Sequence, residues 1–310
     1  MSQRPIASKI ITGYFLLQAL AVALWWGMLV CFEETVGWFH PSVWDTAAFY
    51  AFGLPDFLLL ILGSCVAAGA TWKSMRWAPV AVWSIGIAAW YPTLYCLAAS
   101  LTTGEAWFAT SCMVCMAGLC LVMATMIGTE AQSAELIRQT RMKRHHAILW
   151  TCIQIVIFWS VFLWILPMGI LELQQGLGIP VFEHPGQWTG AVILFLSASL
   201  LGLSSGWAMS SRGSGTPLPT ATAAELVLAG PYRLVRNPMA LAGIVQGLAV
   251  GWSMGSVMVL AYAIAGGFVW HFVARPVEEA DLVERFGAAY ENYRQQVPLW
   301  RPTLRPFKQD

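Results

Sequence analysis

Charged residues are scarce in this chain of 310 residues. Asp, Glu, Lys and Arg together make up 11% of the sequence, whereas hydrophobic residues make up 58% and Trp alone fills 17 positions. Soluble globular proteins carry about 25% charged residues, so this composition excludes a soluble globule. The sequence therefore predicts an integral membrane protein.

Long apolar segments identify the membrane spans, because a helix needs about 20 mostly apolar residues to cross the hydrocarbon core. Six segments meet this requirement. The first is too long for the apolar core of a signal peptide and lacks a cleavage pattern after it, so we expect it to be the first span. The predicted fold is all-α and polytopic. Its six predicted spans are approximately residues 10–31, 50–71, 78–100, 106–128, 147–170 and 187–209.

Lys and Arg are absent from every second connection between these spans, although those connections carry acidic residues. All 17 Lys and Arg lie in the other connections and in the terminal segments. Short cytoplasmic loops carry the excess of positive charge, so we expect both termini to lie in the cytoplasm. The acidic residues of the connections without Lys or Arg are Glu33, Glu34, Asp45, Glu105, Glu172 and Glu183.

Seven Cys residues lie in or beside apolar segments, and none has the loop placement of a secreted disulfide framework. We therefore expect no structural disulfide. Cys112 and Cys115 are three residues apart and share one helical face. One hypothesis is that this pair makes the protein a membrane thiol oxidoreductase. The other is that both thiols only pack, because neighbours that lower a thiol pKa are absent.

Asp56 is the ionisable exception within the first four predicted spans. An ionisable residue at membrane depth indicates a functional site. However, Pro55 precedes it, and Pro commonly occupies the first turn of a helix. We favour the interpretation in which Asp56 lies at a helix entrance near water, as an N-terminal charge.

Residues 129–146 separate two parts of the chain, because this segment is polar and ends in a basic cluster with His145 and His146. We place the domain boundary here. The N-terminal domain is a four-helix membrane domain at 1–146, and the second domain occupies 147–310. Adjacent His residues on a helix point to different faces, and no carboxylate or Cys spacing completes a site, so no metal site is predicted.

The stretch after the sixth span departs from the pattern of the others. Residues 210–238 are rich in Gly and Pro, and an apolar segment follows from Met239 to about Val250. As a helix this segment would be only ~18 Å long, which is too short for a ~30 Å hydrocarbon core. Turn residues at 251–255 follow it, and 256–274 run back. We predict a helical hairpin whose two ends meet at the cytoplasmic surface.

A cytoplasmic amphipathic helix is predicted after the hairpin, beginning at Glu278. Its apolar stripe has spacings of 4, 4 and 3 residues and consists of Leu282, Phe286, Tyr290 and Tyr293. We expect this helix to lie along the membrane and to close over the mouth of the hairpin.

Charged side chains and backbone donors of the Gly-rich loop are predicted to meet at this mouth. Arg binds carboxylates through two parallel hydrogen bonds, and a carboxylate can hold an ammonium group. The pocket suits a zwitterionic ligand with an apolar part, while a gap towards lipid would admit a hydrophobic second substrate. Alternatively, the Arg residues only anchor helix ends to headgroups and the Glu pair is a solvated helix start. The side chains concerned are Arg233, Arg236, His271, Arg275, Glu278 and Glu279.

The C-terminal half carries several short motifs in order along the chain. They are Gly230-Pro-Tyr-Arg-Leu-Val-Arg-Asn-Pro-Met239, Glu278-Glu279, Phe286-Gly287, Tyr290, Tyr293 and Val297-Pro298. In this combination the region 147–305 resembles the isoprenylcysteine carboxyl methyltransferase and phospholipid methyltransferase group. Members of that group are membrane enzymes that use S-adenosylmethionine without a Rossmann domain.

The resemblance implies an S-adenosylmethionine-dependent methyltransferase that acts on a lipophilic small molecule or a lipid-linked acceptor. It implies catalytic roles for Arg236, Arg275 and Glu279. Either Arg would orient an anionic acceptor or the cofactor carboxylate, and Glu279 would orient the cofactor ammonium. Gly213 and Gly215 resemble the upstream G-x-G element of the group. The cofactor-binding residues that the resemblance implies are Gly213, Gly215, Gly230, Tyr232, Arg236, Asn237, Pro238, Met239, His271, Glu278 and Glu279.

Two positions depart from the pattern of the group. Asn237 stands where many members have His, and Ala240 stands where Tyr is usual. These departures keep a further hypothesis open, that of a non-catalytic membrane scaffold that retains the fold. The expected partners are a lipophilic substrate from the bilayer and membrane lipids, and no nucleic acid is expected. The sequence predicts neither an oligomeric state nor a role for residues 1–146.

Overall fold

The computed structural model describes residues 6–129, 144–212, 226–303 and 306–307. All regular secondary structure within these ranges is helical. The chain packs as two compact units, Met1–Glu135 and Leu136–Asp310. The domain boundary that the sequence places between residues 146 and 147 stays a prediction.

Four long helices build the N-terminal unit, and short connections join them. A 3₁₀ turn, Glu33–Trp38, lies between the first two helices. Each of the four is long and apolar enough to cross a membrane, in agreement with the first four predicted spans. They are α1 (Ile6–Cys31), α2 (Thr46–Trp72), α3 (Ala78–Thr103) and α4 (Trp107–Thr129).

Buried polar side chains tie α1 to α2 and α4. The Tyr14 hydroxyl donates to the Met116 carbonyl oxygen at 2.9 Å. The Gln18 amide donates to the Ser64 hydroxyl at 3.1 Å and accepts from the Cys120 thiol at 3.0 Å. In lipid the hydrophobic effect between helices is weak, so such bonds and close packing hold a bundle together.

Asp56 does not lie at a helix entrance, so the interpretation favoured from the sequence is wrong. Helix α2 begins ten residues earlier, where the Asp45 carboxylate accepts from the Ala47 backbone N–H at 2.9 Å and caps the helix. An irregular turn before Pro55 and a π-helical segment after it, Asp56–Leu62, let the helix continue past the proline. Asp56 is thereby held inside the unit, with only 7% of its surface exposed.

The C-terminal unit is built, within its described residues, from five helices and a short 3₁₀ turn, Gly230–Arg233. Helix α5 runs from Arg144–Ser160 through a π-helical turn, Val161–Ile165, into Leu166–Gly176. The others are α6 (Gln187–Arg212), α7 (Pro238–Ser253), α8 (Val257–Phe286) and α9 (Ala288–Gln296).

Seven of the described helices could cross a membrane by length and composition, namely α1 to α6 and α8. The predicted all-α, polytopic membrane fold is thus confirmed. Helix α7 has only 16 residues, or about 24 Å at 1.5 Å per residue, and packs against both α6 and α8. Backbones come close where α7 meets α8, because a Cβ added at Gly251 would lie 2.9 Å from the Leu260 nitrogen.

The returning arm of the hairpin is longer than predicted. The sequence places the start of a new helix at Glu278, but α8 continues without a break to Phe286. A π-helical turn, Trp270–Ala274, precedes Pro276 and shifts the backbone hydrogen bonds, so that the helix accommodates the proline. Gly287, with φ at +48°, then ends α8. The predicted single amphipathic helix is therefore two helices.

The turn of the hairpin is fixed by the connection between α5 and α6. Gly255 has a left-handed φ of +60°, and its carbonyl oxygen accepts from the Phe182 N–H at 2.9 Å. The Gln187 amide donates to the Trp252 carbonyl oxygen at 2.8 Å. A Cβ added at Gly255 would clash with the Phe182 carbonyl group. Only glycine fits this position without moving one of the two segments.

We expect Gly255→Ala to lower the thermal unfolding midpoint of the detergent-purified protein. Alanine in a left-handed conformation costs about 1–2 kcal/mol, and the clash with Phe182 adds to this cost. Gly178→Ala is the matched control, since Gly178 has φ at +70° and a Cβ there meets open space within the described part of the unit. Equal midpoints for the two variants would contradict the tight contact at Gly255.

Candidate functional site

The loop before α7 packs on the end of α6. Val227, Ala229 and Tyr232 are buried against Ala208. Gly230 starts the 3₁₀ turn with a left-handed φ of +58°. The Tyr232 carbonyl oxygen accepts from the hydroxyl of Tyr293 at 2.7 Å. The described part of the segment before α7, residues 226–237, is therefore a loop with a fixed backbone.

The C-terminal tail lies along this loop and is hydrogen-bonded to it through backbone groups. The Thr303 N–H donates to the Leu234 carbonyl oxygen at 2.8 Å, and the Phe307 N–H donates to the Arg233 carbonyl oxygen at 2.9 Å. The Arg233 side chain donates from Nε to the Phe307 carbonyl oxygen at 2.7 Å. Arg233 thus holds the tail and is not among the paired residues of the charged cluster in the described structure.

Three of the predicted site residues form one cluster of charges. The Arg236 guanidinium lies 3.2 Å from one carboxylate oxygen of Glu279, and that of Arg275 lies 3.8 Å from the other. The side chains of Arg236, Glu279 and Arg275 are only 14%, 17% and 26% exposed. One carboxylate therefore faces two guanidinium groups.

One hydrogen-bond donor of the Arg236 side chain is unpaired among the described residues. Its Nε is buried and has no hydrogen-bond partner among the described residues. Its backbone N–H donates to the Pro298 carbonyl oxygen at 3.0 Å, which fixes the position of the residue against the tail. A buried guanidinium N–H without a partner costs free energy, so it favours an added acceptor such as a carboxylate.

Asn237 caps α7 and reaches α8 as well. Its Oδ1 accepts from the Ala240 N–H at 3.0 Å, and Pro238 occupies the first turn, where it is buried. Its Nδ2 donates to Glu278 at 3.4 Å, so the second acidic residue of the pair also faces the loop. Ala240 takes part in this cap through its backbone N–H. Asn237 thereby links the start of one hairpin arm to the other.

His271 lies at the edge of the cluster. Its Nδ1 accepts from the Trp300 indole N–H at 3.3 Å, and its carbonyl oxygen accepts from the Arg275 Nε at 3.1 Å. The Trp300 ring also packs against Trp270, with ring centroids 5.3 Å apart. His271 therefore helps to hold the tail on α8.

Tyrosine hydroxyls close the site on the side of α9. Burial raises the pKa of Tyr290 to about 12, although the neighbouring Arg236 guanidinium acts in the opposite direction. Burial also raises the pKa of Tyr232 and of Tyr293 above the ordinary range. All three phenols are protonated at neutral pH, so they serve as hydrogen-bonding groups and not as bases.

The structure brings together five of the twelve residues predicted for the site. Arg236, Asn237, Arg275, Glu278 and Glu279 converge where α7 begins beside α8. Gly213 and Gly215 lie outside the described residues. Met239 follows the capped start of α7, and a Cβ added at Gly206 would lie 3.9 Å from its methyl group, so it faces α6.

Sequence reasoning missed the tail as part of the site. Residues 297–307 have no helical or strand period, and the motifs found in the sequence include only the Val297-Pro298 pair of this segment. The available signal was the apolar stripe that contains Tyr290 and Tyr293, because such a stripe must pack against another segment. In the structure both tyrosines are buried in one cluster with Phe307. An aperiodic segment cannot be placed by pattern, because its partners lie far away along the chain.

Comparison with known proteins identifies one family. Its model, that of the phospholipid methyltransferases, matches residues 187–289. The matched segment runs from the start of α6 past the end of α8 and contains the Arg236 and Glu279 cluster. The match confirms the resemblance predicted for the C-terminal half and supports a membrane methyltransferase. No curated protein and no solved structure compared with the chain matches it.

We expect Asn237→Ala and Asn237→Asp to differ in stability. Alanine removes the cap of α7, which costs about 1 kcal/mol, and also the contact with Glu278. Aspartate keeps a capping oxygen, but it cannot donate to Glu278 and repels it. The alanine variant should therefore have the lower thermal midpoint at pH 5, where carboxylate repulsion is weaker, and the gap should narrow at pH 8. Identical midpoints at both pH values would contradict the two contacts.

Proposed function

We propose that the protein is an S-adenosylmethionine-dependent methyltransferase of the membrane, acting on a lipophilic acceptor that enters from the bilayer. The observation that carries this proposal is that the charged cluster lies within the segment that matches the family. The segment that matches the phospholipid methyltransferases, 187–289, contains the five charged or amide side chains that converge beside the start of α7.

The donor set of this cluster fits the amino-acid end of S-adenosylmethionine. That end carries one carboxylate and one ammonium group, and the cluster offers guanidinium groups from Arg236 and Arg275 next to carboxylates from Glu278 and Glu279. The buried Nε of Arg236, which has no partner in the described chain, is a donor ready for such a carboxylate. The chemistry of the residues present is thus suitable for the cofactor.

Each charged residue then has a separate role. When bound, S-adenosylmethionine supplies an electrophilic methyl group on a sulfonium. Arg236 would bind the cofactor carboxylate, and Glu279 would hold the ammonium group while still pairing with Arg275. Glu278 would add a second negative charge to the site, which favours a cationic cofactor. Catalysis rests on positioning and on the exclusion of water, because a thioether leaving group needs no acid.

The hairpin gives a lipophilic acceptor a route to the cluster. Helix α8 exposes large apolar side chains along its length, and the cluster lies at one end of this apolar surface. Phe268, Val269, Phe272, Val273 and Val277 are each more than half exposed. A helix of this composition contacts lipid, so an acceptor dissolved in the bilayer would reach the cluster along α8 without crossing water.

The orientation of the site follows from the distribution of charge. Lys and Arg are confined to the N-terminal segment, alternate connections and the C-terminal part of the chain. By the positive-inside rule we expect the termini and the cluster to lie at the cytoplasmic face, where S-adenosylmethionine is available. Labelling of the tail in sealed, oriented vesicles tests this placement.

Glu279→Gln should raise the KM for S-adenosylmethionine by about ten- to hundredfold in a radiolabelled methyl-transfer assay with membrane lipid extract. Such a loss is the usual value of one charge-assisted hydrogen bond. Glu284→Gln is the matched control, since Glu284 lies on the same helix but is exposed. An unchanged KM in the Glu279 variant would refute the assigned role. A wild-type protein that fails to bind S-adenosylmethionine would refute the proposed function and favour a scaffold.

Replacement of Cys112 and Cys115 by Ser should leave methyl transfer unchanged. Both thiols are free, belong to α4 and lie outside the matched segment. The same assay, run beside a thiol-oxidation assay, separates this proposal from the oxidoreductase hypothesis. Loss of methyl transfer on removal of the two thiols would contradict the assignment of the site to the C-terminal unit.

A further inference from the structure

The N-terminal unit contains a partly open cavity of about 450 Å³ that the methyltransferase proposal does not use. Twenty-five residues line it, all between positions 14 and 119, and eight of them are Phe, Tyr or Trp. Cavities of a few hundred cubic ångströms with mostly apolar walls and few polar groups are typical of small-molecule sites. The cavity therefore has the size and lining of a binding site.

One carboxylate faces this apolar space. Asp56 lines the cavity and is more than nine-tenths buried. Within the part of the chain that the structure describes, its one hydrogen bond comes from the Trp26 indole N–H to Oδ2 at 3.1 Å. No salt bridge to Asp56 occurs among the described residues. No hydrogen bond to its other oxygen, Oδ1, occurs among the described residues.

The lining offers no positive charge of its own to match this carboxylate. None of the 25 lining residues is Lys or Arg, and His40 is the one lining side chain that could become a cation. The His40 ring packs edge-on against Phe49 at 5.3 Å, and its buried Nε2 has no partner among the described residues. The side chain of His40 is therefore engaged with an aromatic ring, and no ion pair joins it to Asp56.

Aromatic rings line the same cavity as the Asp56 carboxylate. Phe49 lies 5.8 Å from the Trp26 ring that donates to Asp56, and 6.1 Å from Trp25. Phe52, one turn before Asp56, packs against Tyr95 with centroids 4.9 Å apart. Aromatic faces attract cations, most strongly in sites that exclude water. A single carboxylate within aromatic walls is the environment that an organic ammonium ion prefers.

We propose that this cavity binds an amphiphilic organic cation, with an ammonium group at Asp56 and an apolar body against the aromatic walls. Two observations support this occupant over a neutral lipid. Asp56 has one neutral partner, and the cavity walls are rich in aromatic side chains. A charged residue at membrane depth is costly unless it is paired. The site is separate from the Arg236 and Glu279 cluster, and the proposal does not depend on methyl transfer.

Equilibrium binding of tritiated benzyltrimethylammonium to the full-length protein tests the proposal. The protein is held in dodecyl maltoside, a detergent without charge. The probe is a permanent cation, and neopentylbenzene is its neutral isostere of nearly the same shape. We expect saturable binding of the cation and at least about tenfold weaker competition by the isostere, as the loss of one charge-assisted contact predicts.

Asp56→Asn should weaken binding of the cation by at least about tenfold while keeping an oxygen that accepts from Trp26. Glu34→Gln is the matched control, because Glu34 is an exposed acidic residue of the same unit that does not line the cavity. Binding to the Asn variant within twofold of wild type would overturn the proposal. So would equal competition by cation and isostere, or no binding at all. If the Asn variant does not fold, the comparison of the two probes on wild type decides.

Discussion

A guanidinium group in apolar surroundings needs a carboxylate, and the C-terminal unit depends on this need at Arg236. Its side chain pairs with Glu279 on α8, while its backbone N–H binds the Pro298 carbonyl oxygen in the tail. One residue of the loop thus joins three segments that are far apart in sequence. Desolvation makes each unpaired charge expensive, so the loop, α8 and the tail are held in one arrangement.

The unequal arms of the hairpin explain why this pairing is possible. Helix α7 has 16 residues, whereas α8 has 30. Helix α7 ends at the turn that contains Gly255, and α8 begins there and runs back beside it. Because α8 is longer, it extends several turns beyond Pro238, where α7 begins. Those extra turns carry Arg275, Glu278 and Glu279, and they run beside the loop that precedes α7. A returning arm that ended with α7 would leave the loop without acidic partners.

Composition and charge alone predicted much of this fold, because lipid imposes simple rules on helix length and on the placement of Lys and Arg. The convergence of Arg236 with Glu279 was also predicted, since a hairpin brings its own ends together. The sequence did not reveal that α8 continues past Pro276, because a π-helical turn leaves no pattern in the residues. Nor did it reveal the burial of Asp56, since Pro55 has the same appearance at the start of a helix as at an irregular turn.

The two units handle a buried carboxylate in opposite ways, and the difference bears on function. Glu279 has two guanidinium neighbours, so the charge of its carboxylate is matched by groups of the protein. Asp56 has one neutral donor, so the charge of its carboxylate is not matched within the described residues. A membrane protein gains nothing in stability from an unmatched charge in an aromatic cavity. The cluster at Glu279 therefore offers groups of both signs to a zwitterionic ligand, and the cavity at Asp56 favours a cation.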